Sequence, residues 1–550
     1  MSATGNTSEA AARAAALKDE GNKLYIAKKY SAAHTKYSEA IEADKENAVL
    51  WANRAACSLA LNKLPAAEAD CEKATQLNPQ YTKAWARLGN IRKALCLWQP
   101  SLDAYMKALE LLPASNLSQA DKNIQRECEL DIDFVKNKMK QKAVPLNPNA
   151  IISFDKDDYP WDRVLKLEKT MRSGEGWELY SSRWMLLEAT LHYDDGMRGI
   201  RQVKALTLPN GNPGFSGVLG TIRHLVTALV TDHRVFRIED REYPSYCNIQ
   251  AIFEAQHDKA SALVAAGSVE GTMAKLREMQ GTENWETVLR AIETTIRLFV
   301  FRAFNEGSVQ GDHSSALESY QLAIDLVEQC LKLWKDKSEK ELGEVITRDF
   351  ARGVRSMWLD CYLMAHKANP RQFTREKLRD AAQDMLREIT ALAEDEIFSL
   401  DEATAQHFAF YQYPRAQALG AIALCFREQA EALPKGSSEA SSLLRHAADH
   451  YRQAAEIYPE DDECHCYYLA VTFDALVRCG GARFTEVLGV ATKMKGALPK
   501  MRVLWEKSAM SQARDAQVAH AVAVEEQLLR LKQSGRIKFT DTVSMDMFRR

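Results

Sequence analysis

Residues 83–89 read Lys-Ala-Trp-Ala-Arg-Leu-Gly, and the stretch has shadows 34 and 68 residues upstream. Setting Gly89 over Ala55 and Gly21 places Trp85 over Trp51 and Leu17. Further along, Ser101 falls over Ala67 and Ala33, Tyr105 over Cys71 and Tyr37, and Ala108 over Ala74 and Ala40. Two of the three copies end in proline, Pro79 and Pro113, and the first has Lys45 at that place. A fixed period of this length means one small unit stacked on copies of itself. The small residues suit places where packed elements approach closely, and the large ones fill the space between units. No such unit buries its apolar face alone, so a run of three makes a continuous core.

The pattern resembles the tetratricopeptide repeat (TPR), a helix–turn–helix unit. The resemblance implies that the first helix of each hairpin lines a concave groove. Five polar residues fall in those first helices: Lys18, Asn22, Asn53, Lys83 and Arg87. Lys18 and Asn22 are spaced i, i+4 and so share a face, as do Lys83 and Arg87. Three cations and two amides suit an extended peptide ending in a carboxylate, because Lys and Arg give charge-assisted hydrogen bonds and Asn bonds both carboxylate and backbone. The set Lys18-x-x-x-Asn22, Asn53, Lys83-x-x-x-Arg87 is similar to the carboxylate clamp of TPR co-chaperones. Those proteins bind the Glu-Glu-Val-Asp C-terminus of Hsp70 and Hsp90. The resemblance implies that the last Asp of such a tail is gripped jointly by these five residues. Taken one by one, each would be an ordinary solvated side chain on a helix; the shared register is what points to a site.

Composition sets the wider frame. The chain has 550 residues, a formal net charge of −3, 27% charged and 46% hydrophobic residues. That is an ordinary globular mix with room for several domains or one long solenoid. No basic surplus points to nucleic acid or an anionic membrane. The eleven cysteines contain no Cys-x-x-Cys pair and no disulfide spacing. Neither a signal peptide nor a long apolar run is visible, so a cytoplasmic setting is expected.

The expected fold class is all-α: a TPR hairpin solenoid followed by a larger, mostly helical TPR-like region. Residues 1–13 are expected to be a disordered lead, 14–116 the three repeats and 117–142 a capping helix. The cap's apolar positions are Ile124, Cys128, Leu130, Ile132, Phe134 and Val135. Residues 143–150, with Pro145 and Pro148, read as a linker. Within 151–282, helical spacing covers Trp161–Arg172, Tyr180–Tyr193 and Val218–Asp232, with Val203–Leu208 as a short strand or extended piece. Pro209–Gly220 reads as a turn-rich loop before a helix from Thr221.

Residues 283–515 read as degenerate TPR-like hairpins. Ala316, Tyr320 and Ala323 repeat the small–aromatic–small offsets, and Ala447, Tyr451, Ala454 and Pro459 do so more fully. Gly480-Gly481 would be a turn. Residues 516–550 read as a C-terminal helix and a tail that is either docked or loose.

Other motifs speak less clearly. The 209–220 glycines lack the G-x-G-x-x-G order and any following Lys-Ser or Lys-Thr, and Ser216 is not in a Gly-x-Ser-x-Gly elbow. His446, His450, Cys464 and Cys466 have the residue types of a zinc site, but a packed helical repeat explains them as well. The acidic runs Asp155–Asp158 and Glu460–Glu463 lack a calcium loop's spacing and fall where helix starts favour carboxylates. The expected function is therefore a co-chaperone or adaptor, with no catalysis, cofactor or metal of its own. It would dock Hsp70 or Hsp90 and hold a client or second protein through the C-terminal region. A general scaffold for another acidic peptide, or an enzyme with its site in 151–300, are the alternatives.

Overall fold

The computed structural model describes residues 3–61, 64–94, 98–113, 115, 117–140, 158–172, 180–207, 213–238, 243–395, 405–434, 436–544 and 547. The expected 143–150 linker, Asp155–Asp157, positions 209–212 of the turn-rich loop and the last three residues lie outside these. Helices dominate, as expected of an all-α chain. In order they are α1 (Ala3–Ile26), α2 (Tyr30–Ala43), α3 (Ala48–Ala60), α4 (Leu64–Leu77), α5 (Thr82–Ala94), α6 (Trp98–Glu110), α7 (Gln119–Lys140), α8 (Pro160–Arg172) and α9 (Ser182–Ile200). Strands β1 (Lys204–Thr207) and β2 (Pro213–Ser216) precede α10 (Thr221–Asp232), α11 (Tyr243–His257), α12 (Ser261–Ala266) and α13 (Val269–Gln280). Then come α14 (Trp285–Phe304), α15 (His313–Leu333), α16 (Glu339–Leu342), α17 (Arg348–Ala368), α18 (Arg375–Asp395) and α19 (Ala405–His407). The chain continues with α20 (Tyr413–Glu431), α21 (Ser438–Ile457), α22 (Glu463–Cys479), β3 (Ala482–Arg483), α23 (Phe484–Trp505), α24 (Ser511–Gln533) and β4 (Thr542–Val543).

Two compact units share these elements. The first comprises Met1–Pro145, Arg198–Thr221 and Asp240–Gly267; the second comprises Leu146–Met197, Ile222–Glu239 and Ser268–Arg550. Residues 151–282, read from the sequence as one region, are thus divided between them. The sequence carries no sign of this, because helical periodicity says that a face is buried but not against what.

In the first unit, α1/α2, α3/α4 and α5/α6 are three antiparallel hairpins in file, closed by α7. The repeat is legible in its bonds. Trp51 Nε1 donates to Lys45 O and Trp85 Nε1 to Pro79 O, each at 2.9 Å. Ala33, Ala40, Ala67, Ala74 and Ala108 are fully buried where the two helices of each pair meet. Helix α1 starts at Ala3, so the lead expected to be disordered is helical over most of its length; the alanine run Ala10–Ala12 and Ala14–Ala16 explains it by propensity.

On α7, Cys128, Ile132 and Val135 pack on Tyr105 and Ala108, with Ile124 beside them. Leu130 and Phe134 do not join that face and stand 62% and 46% exposed.

The returning segments dock on the same unit. Strands β1 and β2 pair antiparallel, Lys204 opposite Ser216 and Thr207 opposite Pro213. The loop expected at 209–220 therefore contains a strand. β2 lies along α4, and Ile252 of α11 packs on Ala55, Ala67, Cys71, Leu88 and Ile91. Gln250 Nε2 donates to Val218 O at 2.6 Å. Gly217 permits that approach, since a Cβ there would lie 2.4 Å from Gln250 Oε1.

In the second unit, α14 to α24 pack largely as neighbours in sequence, the habit of stacked hairpins. Ala316, Tyr320 and Ala323 are buried at their TPR-like offsets, as are Ala447, Tyr451 and Ala454. Gly480 ends α22 in the left-handed conformation, φ 76°. Helix α24 begins at Ser511 rather than 516. The tail is docked as far as it is described: Val543 pairs with Ala482, Phe484 N donates to Asp541 O at 2.9 Å, and Val543 is buried.

Candidate functional site

All five residues singled out from the sequence lie on the first helices of the three hairpins: Lys18 and Asn22 on α1, Asn53 on α3, Lys83 and Arg87 on α5. Lys83 is exposed and the other four are half-buried, so each keeps access to solvent. Arg87 is the residue that spans hairpins. Its guanidinium donates to Asn53 Oδ1 at 3.2 Å and to Ala52 O at 2.6 Å. Asn22 is held differently, with the phenol of Tyr37 donating to its Oδ1 at 2.8 Å.

Arg87 also reaches the first hairpin electrostatically. Burial pushes the Tyr37 phenol up to about 12, and the Arg87 charge opposes that rise. The same opposition is felt at Tyr25 and at Cys57, whose thiol burial pushes up to about 11. Residues of α1, α2 and α3 therefore share the field of one cation on α5.

Two structural ties shape the surroundings. Arg54 and Asp70 make a buried bidentate pair between α3 and α4, Nε to Oδ2 at 2.9 Å and NH2 to Oδ1 at 2.7 Å. Arg92 bridges Glu68 and Glu72 at 2.9 and 2.6 Å, fastening α5 to α4. Both cations are spent on carboxylates of the scaffold, which sets them apart from Lys18 and Lys83 in role.

The remaining candidates fall into packing roles. His446 and His450 both lean on the Phe426 ring, with centroids 5.4 Å away in each case. Cys466 is fully buried, and Cys464 faces Arg234 at 3.9 Å. Among the described residues, no group of three or more His, Cys, Asp or Glu is placed to hold a metal ion.

The acidic run at 460–463 turns out to be the hub of a buried network. Asp462 caps α22 by accepting from Cys464 N at 2.8 Å, and also takes the Tyr413 hydroxyl at 2.6 Å and Arg234 NH2 at 3.0 Å. Asp461 accepts from Ser181 Oγ at 2.5 Å and Ser182 N at 2.9 Å. Arg234 stacks over Trp505 at 4.1 Å and is shared with Asp232 at 2.8 Å. Burial works against its charge, yet Asp232 and Asp462 hold it well above the ordinary arginine range. Sequence reasoning found the helix start and missed the partners: Tyr413 lies 49 positions away and Arg234, Ser181 and Ser182 more than 200, and none carries a local signal.

Hairpin geometry and period together define α1–α6 as a tetratricopeptide-repeat array. Known proteins agree on the class. The chain is 35% identical over 153 residues to human RNA polymerase II-associated protein 3, covering 26% of this chain and 23% of that protein. It is 34% identical over 142 residues to the small glutamine-rich tetratricopeptide repeat-containing protein 2 of Saccharomyces cerevisiae, covering 25% of this chain and 39% of that one. The chain thus spans well under half the length of these relatives. No protein-family model matches. Among solved structures, the first TPR domain of Spaghetti bound to an Hsp90 peptide is 32% identical over 24% of this chain and 95% of that one, with a TM-score of 0.21. The second TPR domain of the human RPAP3 protein, in complex with an Hsp70 peptide, is 30% identical over 24% of this chain and 98% of that one, with a TM-score of 0.20.

Proposed function

We propose that the α1–α6 groove is a carboxylate clamp for the acidic C-terminal peptide of Hsp70 or Hsp90. The chain would then work as a cytoplasmic co-chaperone or adaptor without catalysis of its own. The observation that carries this reading is the chemistry of the five side chains. Lys18, Lys83 and Arg87 are cations that donate and cannot accept. Asn22 and Asn53 stand with their carbonyl oxygens already bonded to Tyr37 and Arg87. With each oxygen turned to a protein donor, the five side chains offer a ligand chiefly N–H, most of it charged. A terminal Asp, with one main-chain and one side-chain carboxylate, is acceptor-rich and doubly negative, and charge-assisted bonds to it are roughly twice as strong as neutral ones. Preorganisation favours binding further, because Arg87 and Asn53 are already fastened to each other and lose little freedom when the peptide arrives. The second unit, with its own hairpins, is read as the part that holds a client or second protein.

The test is direct. The full chain is titrated with a peptide ending in Glu-Glu-Val-Asp, as free acid and as C-terminal amide. A clear preference for the free acid is expected; equal affinities would remove the clamp reading. A peptide with the same terminal Asp but a different upstream sequence separates a chaperone adaptor from a scaffold for other acidic tails.

A further inference from the structure

We infer that Tyr37 is a specificity-determining residue: its hydroxyl fixes the orientation of the Asn22 amide, so that Asn22 offers a ligand its NH2 group rather than its oxygen. The inference rests on the clamp reading and deepens it. An amide side chain can present either its oxygen or its NH2 group to a ligand. In a groove whose other members are Lys and Arg, the two asparagines are therefore the only clamp groups that could accept a hydrogen bond from a ligand.

The structure engages each of those oxygens with a protein donor, which fixes how each amide is turned. Asn53 Oδ1 takes Arg87 NH1 at 3.2 Å. Arg87 has no acceptor to offer, so turning the Asn53 amide over would set N–H against N–H. Asn22 Oδ1 takes the Tyr37 hydroxyl at 2.8 Å. Tyr37 is only 2% exposed, and among the described residues Asn22 Oδ1 is the acceptor its proton has. Turning Asn22 over would leave a buried O–H without an acceptor, at the cost of desolvation. Among the described residues, Nδ2 of Asn22 and Nδ2 of Asn53 have no protein partner, so both stand available to a ligand.

The other repeats show that this is a particular arrangement and not a consequence of the hairpin. In the second repeat the equivalent pair is Ala56 and Cys71, which cannot make the bond. In the third, Tyr105 OH lies 2.7 Å from Asn90 Oδ1 and 3.0 Å from Asp131 Oδ2. Its single proton has two acceptors, and Asn90 is not held to one orientation in the same way. Only in the first repeat does a phenol with one partner govern a clamp asparagine.

A groove that turns its N–H groups to the ligand discriminates. It accepts an ionised carboxylate and rejects a terminus that must itself donate, such as an amide. Tyr37→Phe keeps the ring that packs the hairpin and removes only the hydroxyl. Asn22 is then able to turn and accept from a terminal amide. The experiment measures, on the full chain, the affinity ratio between free-acid and amidated Glu-Glu-Val-Asp peptides for wild type, Tyr37→Phe, Asn22→Ala and the double variant. Tyr37→Phe is expected to lower the ratio about three- to tenfold, the scale of one net hydrogen bond. In the Asn22→Ala background it should change the ratio no further, which a merely structural role for Tyr37 would not predict. An unchanged ratio in Tyr37→Phe, or the same change with and without Asn22, overturns the inference. If Lys83→Ala still weakens free-acid binding in that case, the clamp reading stands and only the role of Tyr37 is wrong. If wild type itself shows no preference, the clamp reading falls and takes this inference with it.

Discussion

A methyl group on Gly89 would sit 2.5 Å from both Cδ1 and Cε1 of Tyr105. The first repeat has the same fit, with Tyr37 Cε1 at 2.8 Å from a Cβ at Gly21. In the second repeat Cys71 takes the place of the aromatic, and alanine stands at position 55, fully buried. Glycine and tyrosine therefore go together, as do alanine and cysteine, within one chain. Two effects compete in Gly89→Ala. Helix propensity favours alanine by about 1 kcal/mol, while overpacking costs about 1–3 kcal/mol when the neighbour is a rigid ring. The ring is buried between helices and cannot retreat, so the variant is expected to be destabilised. Gly489, on exposed α23 surface with nothing within 4 Å of its would-be Cβ, is the control. Gly489→Ala is expected to gain a few tenths to 1 kcal/mol. Urea unfolding of the two variants checks both signs.

Lys83 is exposed in the free protein and makes no ion pair among the described residues. Removing it disturbs no scaffold contact, which makes it a cleaner probe than Arg87. Lys83→Ala is expected to weaken binding of a Glu-Glu-Val-Asp peptide by about 2 kcal/mol, a fall of roughly thirtyfold. Arg87→Ala should cost about 2–5 kcal/mol, because Asn53 loses its anchor at the same time. Binding by wild type should weaken as salt rises, since the free groove is solvated and screened. Calorimetric titration at two ionic strengths tests all three; a Lys83→Ala protein that binds as well as wild type would remove Lys83 from the site.

How much could be read beforehand depends on the range of the interaction. The hairpins, and the placing of the five proposed clamp residues on their first helices, follow from the 34-residue period, because each repeat is built from contacts within itself and its neighbour; the choice of those five came from the family resemblance. The Trp51 and Trp85 bonds to carbonyls six residues earlier are local in the same sense. By contrast, Ile252 packs against the cluster that holds Leu88 and Ile91, more than 150 positions earlier, and its helix has no repeat to place it. The β1–β2 hairpin was half-seen: Val203–Leu208 suggested a strand, but Pro213–Ser216 sits amid glycine and proline and reads as loop. The acidic run at 460–463 was legible as a helix start, through Asp462. Its pairing with Arg234 was not, since charge in a sequence does not say where its partner lies.

The capping helix gives a finer version of the same lesson. Six apolar residues suggested one broad face on α7, yet Val135 is fully buried while Leu130 and Phe134 face outward. Helical geometry separates them: 128, 132 and 135 follow the i, i+4, i+7 rule, whereas 130 and 134 form a second stripe. Val135→Ala is expected to lower the stability of the first unit by about 1–2 kcal/mol through lost burial and a small cavity. Leu130→Ala should fall within about 0.5 kcal/mol of wild type. Thermal unfolding distinguishes the stripes; equal losses at both positions would mean that Leu130 is covered in solution.

Glu463 offers a prediction in pH. It lies between Arg234 NH1 at 3.7 Å and Arg514 NH1 at 3.4 Å, accepts from the Ser508 hydroxyl, and is 1% exposed. Burial is the largest influence and raises its carboxyl to about 7; the arginines and Ser508 oppose the rise, and neighbouring Asp462 adds to it. A folded-state value above the unfolded one means that the native protein holds a proton the unfolded chain has released. From about pH 4.5 to about pH 7 this group therefore makes the protein less stable as pH rises. Each pH unit inside that window is worth at most about 1.4 kcal/mol. Glu463→Gln keeps the shape of the protonated acid and cannot ionise. Other carboxylates titrate in the same range, so the informative quantity is the stability of Glu463→Gln minus that of wild type. That difference is expected to grow by about 2–3 kcal/mol between pH 5 and pH 7 and then to level off. Urea unfolding at pH 5, 6, 7 and 8 measures it. A difference that stays constant across the series would show that Glu463 is ionised throughout and that Arg234 and Arg514 outweigh its burial.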